Sequence, residues 1–237
     1  MAVKDIDDST EFFKPKFGAD LFQYLASGEM QGVHHIARYH WAVEALSQRT
    51  TGSIIDIACG SGYGSHMIAK RYPTADVLGV DYDPRAIEHA RRNYKAANLR
   101  YVVGDVTTWT SEDGPLPTSD TIVSFDTIEH LLHRDIALMR MADNLIDDGW
   151  LLLATPCGHG QSRLNPAWEH HKCEYSHHDL FALLSRFFSS ILQPQESDFP
   201  AGQFWRELNQ ERVLYLNRMN PVVCLGPIRA PMYRRYI

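Results

Sequence analysis

The residues of this chain best able to do chemistry fall into two groups. One is a set of carboxylates, Asp56, Asp81, Asp105 and Asp126, each in or at the end of a short apolar run. The other is Glu129-His130, just beyond Asp126, together with His171 in the stretch Glu169-His-His-Lys-Cys-Glu-Tyr175. A carboxylate at a strand tip can accept hydrogen bonds from ligand hydroxyls. An imidazole titrates near neutrality, so it can take and return a proton under working conditions. Between Asp56 and Asp81 lies Asp56-Ile-Ala-Cys-Gly-Ser-Gly-Tyr-Gly64. Its glycines accept positive φ and let a ligand approach the backbone without meeting a Cβ.

These groups need elements to hold them. Ile54, Ile55 and Ile57 suit a buried parallel strand that runs into the glycine turn, and Met67, Ile68 and Ala69 belong to the helix after it. Val77-Leu-Gly-Val-Asp81 is a second strand, ending in an acid 19 residues after Gly62, where a carboxylate can hold both hydroxyls of a ribose. Leu99–Val106 and Thr121–Asp126 read as the third and fourth strands, and Trp150–Ala154 as the fifth. Helices are expected from Pro84 through Ala97, from about Glu129 to Ile146, and from Ser176, as N-cap, to about Phe188. Thr107–Ser119, with Gly114, Pro115 and Pro117, reads as a loop. Ser190–Gln193 and Val213–Leu216 are candidate sixth and seventh strands. Ahead of all this, Ile36, Tyr39, Val43 and Leu46 recur at helical spacing over 34–46, after an aromatic-rich start.

Over roughly residues 50–195 the sequence resembles the class I (Rossmann-like) S-adenosylmethionine-dependent methyltransferases. The resemblance rests on the Asp56–Gly64 turn, Gly79-Val-Asp81-Tyr-Asp83, Gly104-Asp105-Val106 and Phe125-Asp-Thr-Ile-Glu-His130. A nicotinamide dehydrogenase competes less well. Its fingerprint wants glycine at 65, where this chain has Ser65, and does not call for Asp56.

The resemblance implies an α/β fold: a doubly wound, seven-stranded, mostly parallel sheet with an antiparallel seventh strand. Residues 1–51 would form an N-terminal helical cap within the same domain, and 52–237 the methyltransferase domain. It also implies roles. Asp56, Ala58, Gly60, Ser61 and Gly62 would sit at the methionine part of S-adenosylmethionine, with Asp126 nearby. Asp81 would hold the ribose, Tyr82 would lie against the adenine, and Asp105 and Val106 would meet its edge. His130, His171 and Glu129 are the expected catalytic residues, with Glu129 read as a helix cap and His130 as a general base.

The fourth strand's ending lacks the Asn/Asp-Pro-Pro-Tyr motif of amine-directed enzymes. It is similar to the Glu-His ending of ubiquinone-pathway O-methyltransferases. The expected reaction is therefore methylation of a small polar acceptor, a hydroxyl of a saccharide or secondary metabolite. The same stretch resembles metal-dependent RNA 3′-terminal 2′-O-methyltransferases, in which positions matching Asp126, Glu129, His130 and His171 bind a divalent ion. A divalent metal is the less favoured expectation. A third reading is a non-catalytic S-adenosylmethionine-binding subunit serving a partner.

Composition bounds these readings. With 237 residues, one α/β domain with a substantial core fits. A net charge of −6, without a long Lys/Arg run, argues against a nucleic-acid substrate. No apolar run reaches membrane-span length, and the acidic start is no signal peptide. Cys59, Cys157, Cys173 and Cys224 show no metal-type pairing and read as reduced thiols of a cytoplasmic protein.

Overall fold

The computed structural model of the protein describes residues 12–159, 161–166, 170–192 and 221–229. Its centre is one sheet. The strands β1 (Ser53–Ile57), β2 (Asp76–Asp81), β3 (Leu99–Asp105), β6 (Ser119–Phe125) and β7 (Leu145–Ala154) pair in parallel, in the order β7-β6-β1-β2-β3. β11 (Phe188–Leu192) and β12 (Val222–Pro227) extend the β7 side as β11-β12-β7, and β12 is antiparallel to both neighbours. Those seven strands match the expected number and mostly parallel pairing, although β12 is not one of the strands read from the sequence.

Two short strands, β4 (Thr110–Ser111) and β5 (Gly114–Pro115), add antiparallel to β3 and bring the sheet to nine. The stretch read as a loop over 107–119 is thus largely a hairpin, turned at Gly114 with φ of +117°. The expected seventh strand over 213–216 lies outside the described residues.

Alternation along each strand builds two apolar layers. Ile54, Val77, Val123 and Leu152 face α1 (Leu21–Ser27), α2 (Met30–Leu46) and α3 (Tyr63–Arg71). Ile55, Leu78, Ile122 and Leu151 face α5 (Arg134–Asp143) and α6 (His177–Leu184). Adjacent residues on one strand go to opposite cores because side chains alternate, so these central strands are apolar throughout. The helix α4 (Pro84–Asn93) packs Ile87 and Ala90 against Tyr101. Its N-cap Asp83 accepts from Arg85 N, and Pro84 takes the first helical position.

One expectation about a helix is corrected. The helix after the fourth strand begins at Arg134 rather than near Glu129. The reason is a tertiary contact: the Glu129 carbonyl accepts from Lys172 N at 2.6 Å and Cys173 N at 3.2 Å, so it is taken before a helix can use it. The polar stretch after β7 is not all loop. β8 (Cys157–His159), β9 (Arg163–Leu164) and β10 (Cys173–Ser176) form a small three-stranded sheet that carries the chain back toward Glu129. Ser176 does cap α6, accepting from Asp179 N at 3.1 Å. Among the described residues, no helix is long and apolar enough to cross a membrane.

Candidate active site

A cavity of about 470 Å³ runs along the carboxyl ends of the parallel strands. It falls in the size range of small-molecule sites, roughly 300–1,000 Å³. One end is built by β1, β2 and β3. There the backbone N–H of Gly60 donates to Asp81 Oδ2 at 2.8 Å, and Asp83 N donates to Asp81 Oδ1 at 2.9 Å. Burial pushes the Asp81 carboxyl up to about 6, despite these bonds. Tyr82 stands beside it, 66% exposed. Ala58 and Gly60 both adopt positive φ, +59° and +55°, as the chain leaves β1. For Ala58 that conformation is strained, and such residues cluster where function requires them.

Several of the residues expected at the site lie behind the cavity wall instead of in it. Ala58, Gly60, Asp81, Tyr82, Asp105, Val106, Asp126 and His130 line it; Asp56, Ser61, Gly62, Glu129 and His171 do not. Asp56 is fully buried and accepts from Ser65 Oγ at 2.6 Å and from Tyr39 Oη at 3.1 Å. Burial raises its carboxyl to about 7. Ser65, the residue that departs from the dehydrogenase fingerprint, is therefore a partner of Asp56. Gly62, at φ +87°, is glycine for packing reasons: a Cβ there would stand 2.5 Å from Ala90 Cβ and 2.9 Å from the Tyr101 ring. Ser61 Oγ donates to the Phe13 carbonyl, drawing the N-terminal segment over the turn so that Phe12 lines the cavity.

The other end lies past β6. Asp126 closes that strand with φ of +49° and is ion-paired to Arg38 of α2, with His35 Nδ1 3.5 Å from the same oxygen. Arg38 is 5% exposed. Burial works to raise the Asp126 carboxyl, but the Arg38 guanidinium outweighs it and holds the acid below its ordinary range. Burial, with Arg38 adding to it, lowers His35 to about 4. Sequence reading found Asp126 but not this pairing, since 88 positions separate its members.

Glu129 does not cap a helix, which corrects the expectation. It is 0% exposed, its Oε2 accepts from Thr155 Oγ1 at 2.7 Å, and its Oε1 has no hydrogen-bond partner among the described residues. Burial first, then the nearby Asp126 charge, raises its carboxyl well above the ordinary range. His130 Nε2 lies 3.9 Å from that Oε1, and its Nδ1 is 3.3 Å from the His170 carbonyl. A carbonyl only accepts, so neutral His130 carries its proton on Nδ1 and presents Nε2 as the basic atom. The His171 ring packs edge-on against His130, with centroids 4.9 Å apart, and its Nδ1 is 2.8 Å from Glu174 Oε1. Glu129, His130 and His171 each place one ligand-type atom so that all three lie within 4.8 Å of one another. The resemblance to metal-dependent enzymes put Asp126 in that set; the Arg38 pair keeps it apart.

Similarity to known proteins covers the same elements. The methyltransferase-domain family matches residues 54–149, from β1 into the start of β7. Trans-aconitate 2-methyltransferase of Methylobacterium radiotolerans is 32% identical over 102 residues, 43% of this chain and 37% of that protein. A probable S-adenosylmethionine-dependent methyltransferase of Mycolicibacterium smegmatis is 30% identical over 122 residues, 50% of this chain and 44% of its own. The chain thus spans about two-fifths of the length of these curated relatives. In three dimensions it is similar to the O-methyltransferase of a trans-AT polyketide synthase multienzyme of Brevibacillus brevis, solved with S-adenosyl-L-homocysteine. That similarity has a TM-score of 0.56 at 16% identity, over 90% of this chain and 80% of that one, and speaks for the fold. Residues 54–149 thus match a methyltransferase domain, and the sheet order and glycine turn around them are those of the Rossmann-like methyltransferase fold.

Proposed function

We propose that this chain transfers a methyl group from S-adenosylmethionine to a hydroxyl of a small polar acceptor, such as a saccharide or secondary metabolite. The observation that carries the reading is the cavity itself, which joins the Asp81 strand tip to His130 in one enclosure. The donor supplies a methyl already activated by its sulfonium. Asp81, fixed by two backbone N–H groups, accepts from the ribose hydroxyls. Tyr82 covers the adenine face, while Asp105 and Val106 meet its edge. Ala58 and Gly60 leave room for the methionine part, with Asp56 and Gly62 setting the turn from behind and Ser61 tying it to Phe13.

The protein's own task is alignment and one proton transfer. His130 Nε2 takes the proton as the acceptor oxygen bonds to the methyl. The His170 carbonyl holds the imidazolium through Nδ1, with Glu129 Oε1 3.9 Å from Nε2. His171, braced by Glu174, packs the base in place. Incubating the protein with S-adenosylmethionine and a metabolite panel should yield S-adenosylhomocysteine. Turnover only when a second methyltransferase is added would instead make the chain a binding subunit.

A second reading has its own observation. Two imidazoles and a buried carboxylate with an unpartnered oxygen form a donor set suited to a divalent cation. Both imidazoles have Nδ1 at an acceptor, the usual bracing of a ligating histidine. Glu129, His130 and His171 would hold the ion, which would lower the pKa of the acceptor hydroxyl. Activity that survives EDTA supports the first reading. Activity lost to EDTA and restored by Mn²⁺ supports the second, and steeply salt-dependent binding of short RNA would add an RNA end as its acceptor.

A further inference from the structure

The stretch 12–17, Phe-Phe-Lys-Pro-Lys-Phe, belongs to no helix or strand, yet it crosses the glycine turn. Side chains hold it there. Ser61 Oγ donates to the Phe13 carbonyl at 2.5 Å, and Phe17 N donates to Tyr24 Oη at 3.0 Å. The Phe13 ring stacks on His35 of α2, with centroids 4.6 Å apart and planes at 11°, and meets Tyr63 of α3 edge-on at 5.8 Å. Phe12 leans the other way. Its ring lies 6.4 Å from that of His89 on α4, and a Cβ added to Gly60 would stand 3.3 Å from its own Cβ. Phe12 also lines the cavity, together with Ala58, Gly60 and Asp81.

A ligand that rests on Gly60 therefore meets Phe12. The fastenings of this stretch differ from those of the site it crosses. Asp81 is fixed by two backbone N–H groups, from Gly60 and Asp83. The stretch 12–17 is held by ring contacts and single hydrogen bonds, each weak on its own. A segment fastened in that way can open without disturbing the sheet, as an active-site lid does. We propose that residues 12–17 form a strap that admits and retains the donor: Phe12 covers the bound S-adenosylmethionine, and Phe13, in its socket of His35 and Tyr63, is the latch. This rests on the methyl-transfer reading of the cavity and adds a barrier to donor exchange.

The test uses the full chain and S-adenosylhomocysteine. Trypsin cuts after Lys16, exposed in the strap, and after Lys95, exposed in the loop behind α4. Saturating S-adenosylhomocysteine should slow cleavage at Lys16 by about tenfold or more relative to Lys95, since general stabilisation by a ligand slows both alike. In stopped-flow binding, Phe13→Ala should speed association and dissociation together, each by about fivefold or more, with a smaller change in Kd. Phe12→Ala should speed dissociation alone. The strap is overturned if S-adenosylhomocysteine binds yet leaves the ratio of Lys16 to Lys95 cleavage unchanged. It is also overturned if Phe13→Ala exchanges the ligand at wild-type rates. Where Phe13→Ala does not fold, proteolysis of the unmodified chain decides. If S-adenosylhomocysteine does not bind at all, the donor reading falls and the strap with it, an outcome distinct from binding without protection.

Discussion

The two ends of the cavity are held by different means. At the Asp81 end the contacts that place Asp81 are short-range or run between neighbouring strands: Gly60 N and Asp83 N onto Asp81, Cys59 N onto the Val80 carbonyl. At the His130 end the contacts join segments far apart in the chain, Arg38 with Asp126, Thr155 with Glu129, and His170 with His130. The first end is rigid because strand pairing already places its backbone. The second depends on side chains meeting across the domain, so it can vary while the Asp81 end stays the same.

That contrast can be broken at four places. The largest expected effect is on chemistry. Once an acceptor is found, His130→Ala should lower kcat by about 10²–10⁴-fold with donor affinity unchanged, as expected for a lost general base. An intact kcat would remove His130 from the mechanism. Next is the pair that spans the domain. Arg38→Met leaves the Asp126 charge without its cation and should cost about 3–5 kcal/mol in urea unfolding. Adding Asp126→Asn should recover much of that loss, and no recovery would mean that Arg38 acts through packing alone.

At the other end, Asp81→Ala should weaken S-adenosylhomocysteine by roughly 10–100-fold in calorimetry, since a buried charged acceptor is lost. Equal affinities would remove the ribose assignment. The smallest effect is on pH. Asp56, raised to about 7, and Asp81, raised to about 6, bind protons more tightly folded than unfolded. The stability they confer is fully present below their ordinary carboxylate pKa and is lost as pH rises through 6 to 7. The melting temperature of the ligand-free protein should therefore fall by about a few degrees between pH 5 and 8. Asp56→Asn should flatten that slope, and an unchanged slope would assign it elsewhere.

The same contrast explains what could be read from the chain. The Asp81 end was legible because its parts are contiguous: a glycine turn, then an acid at each strand tip. Parallel strands also show themselves as apolar runs, so β1, β2, β3, β6 and β7 were legible, while their order in the sheet came from the fold. The hairpin of β4 and β5 was missed because two-residue strands carry no periodicity. The late start of α5 was missed because its cause, the Glu129 carbonyl being taken by Lys172 and Cys173, lies some 40 residues downstream. Residue type marked Glu129, His130 and His171 as interesting, but only the fold shows Glu129 buried under Thr155 and Asp126 tied to Arg38.

The helix α2 has a consequence for how the chain is made. Its buried face, including Ile36, Tyr39 and Trp41, packs on α3 and on Phe125 at the end of β6, with Tyr39 in the space that a Cβ on Gly64 would fill. The ribosome makes α2 long before Phe125. At roughly 5–20 residues per second, the gap lasts on the order of ten seconds. During that time the part of this aromatic face that meets Phe125 lacks its final cover, although α1 and α3 are already made. Nascent chains stalled before β6 should hold a chaperone there, and chains stalled after β7 should release it.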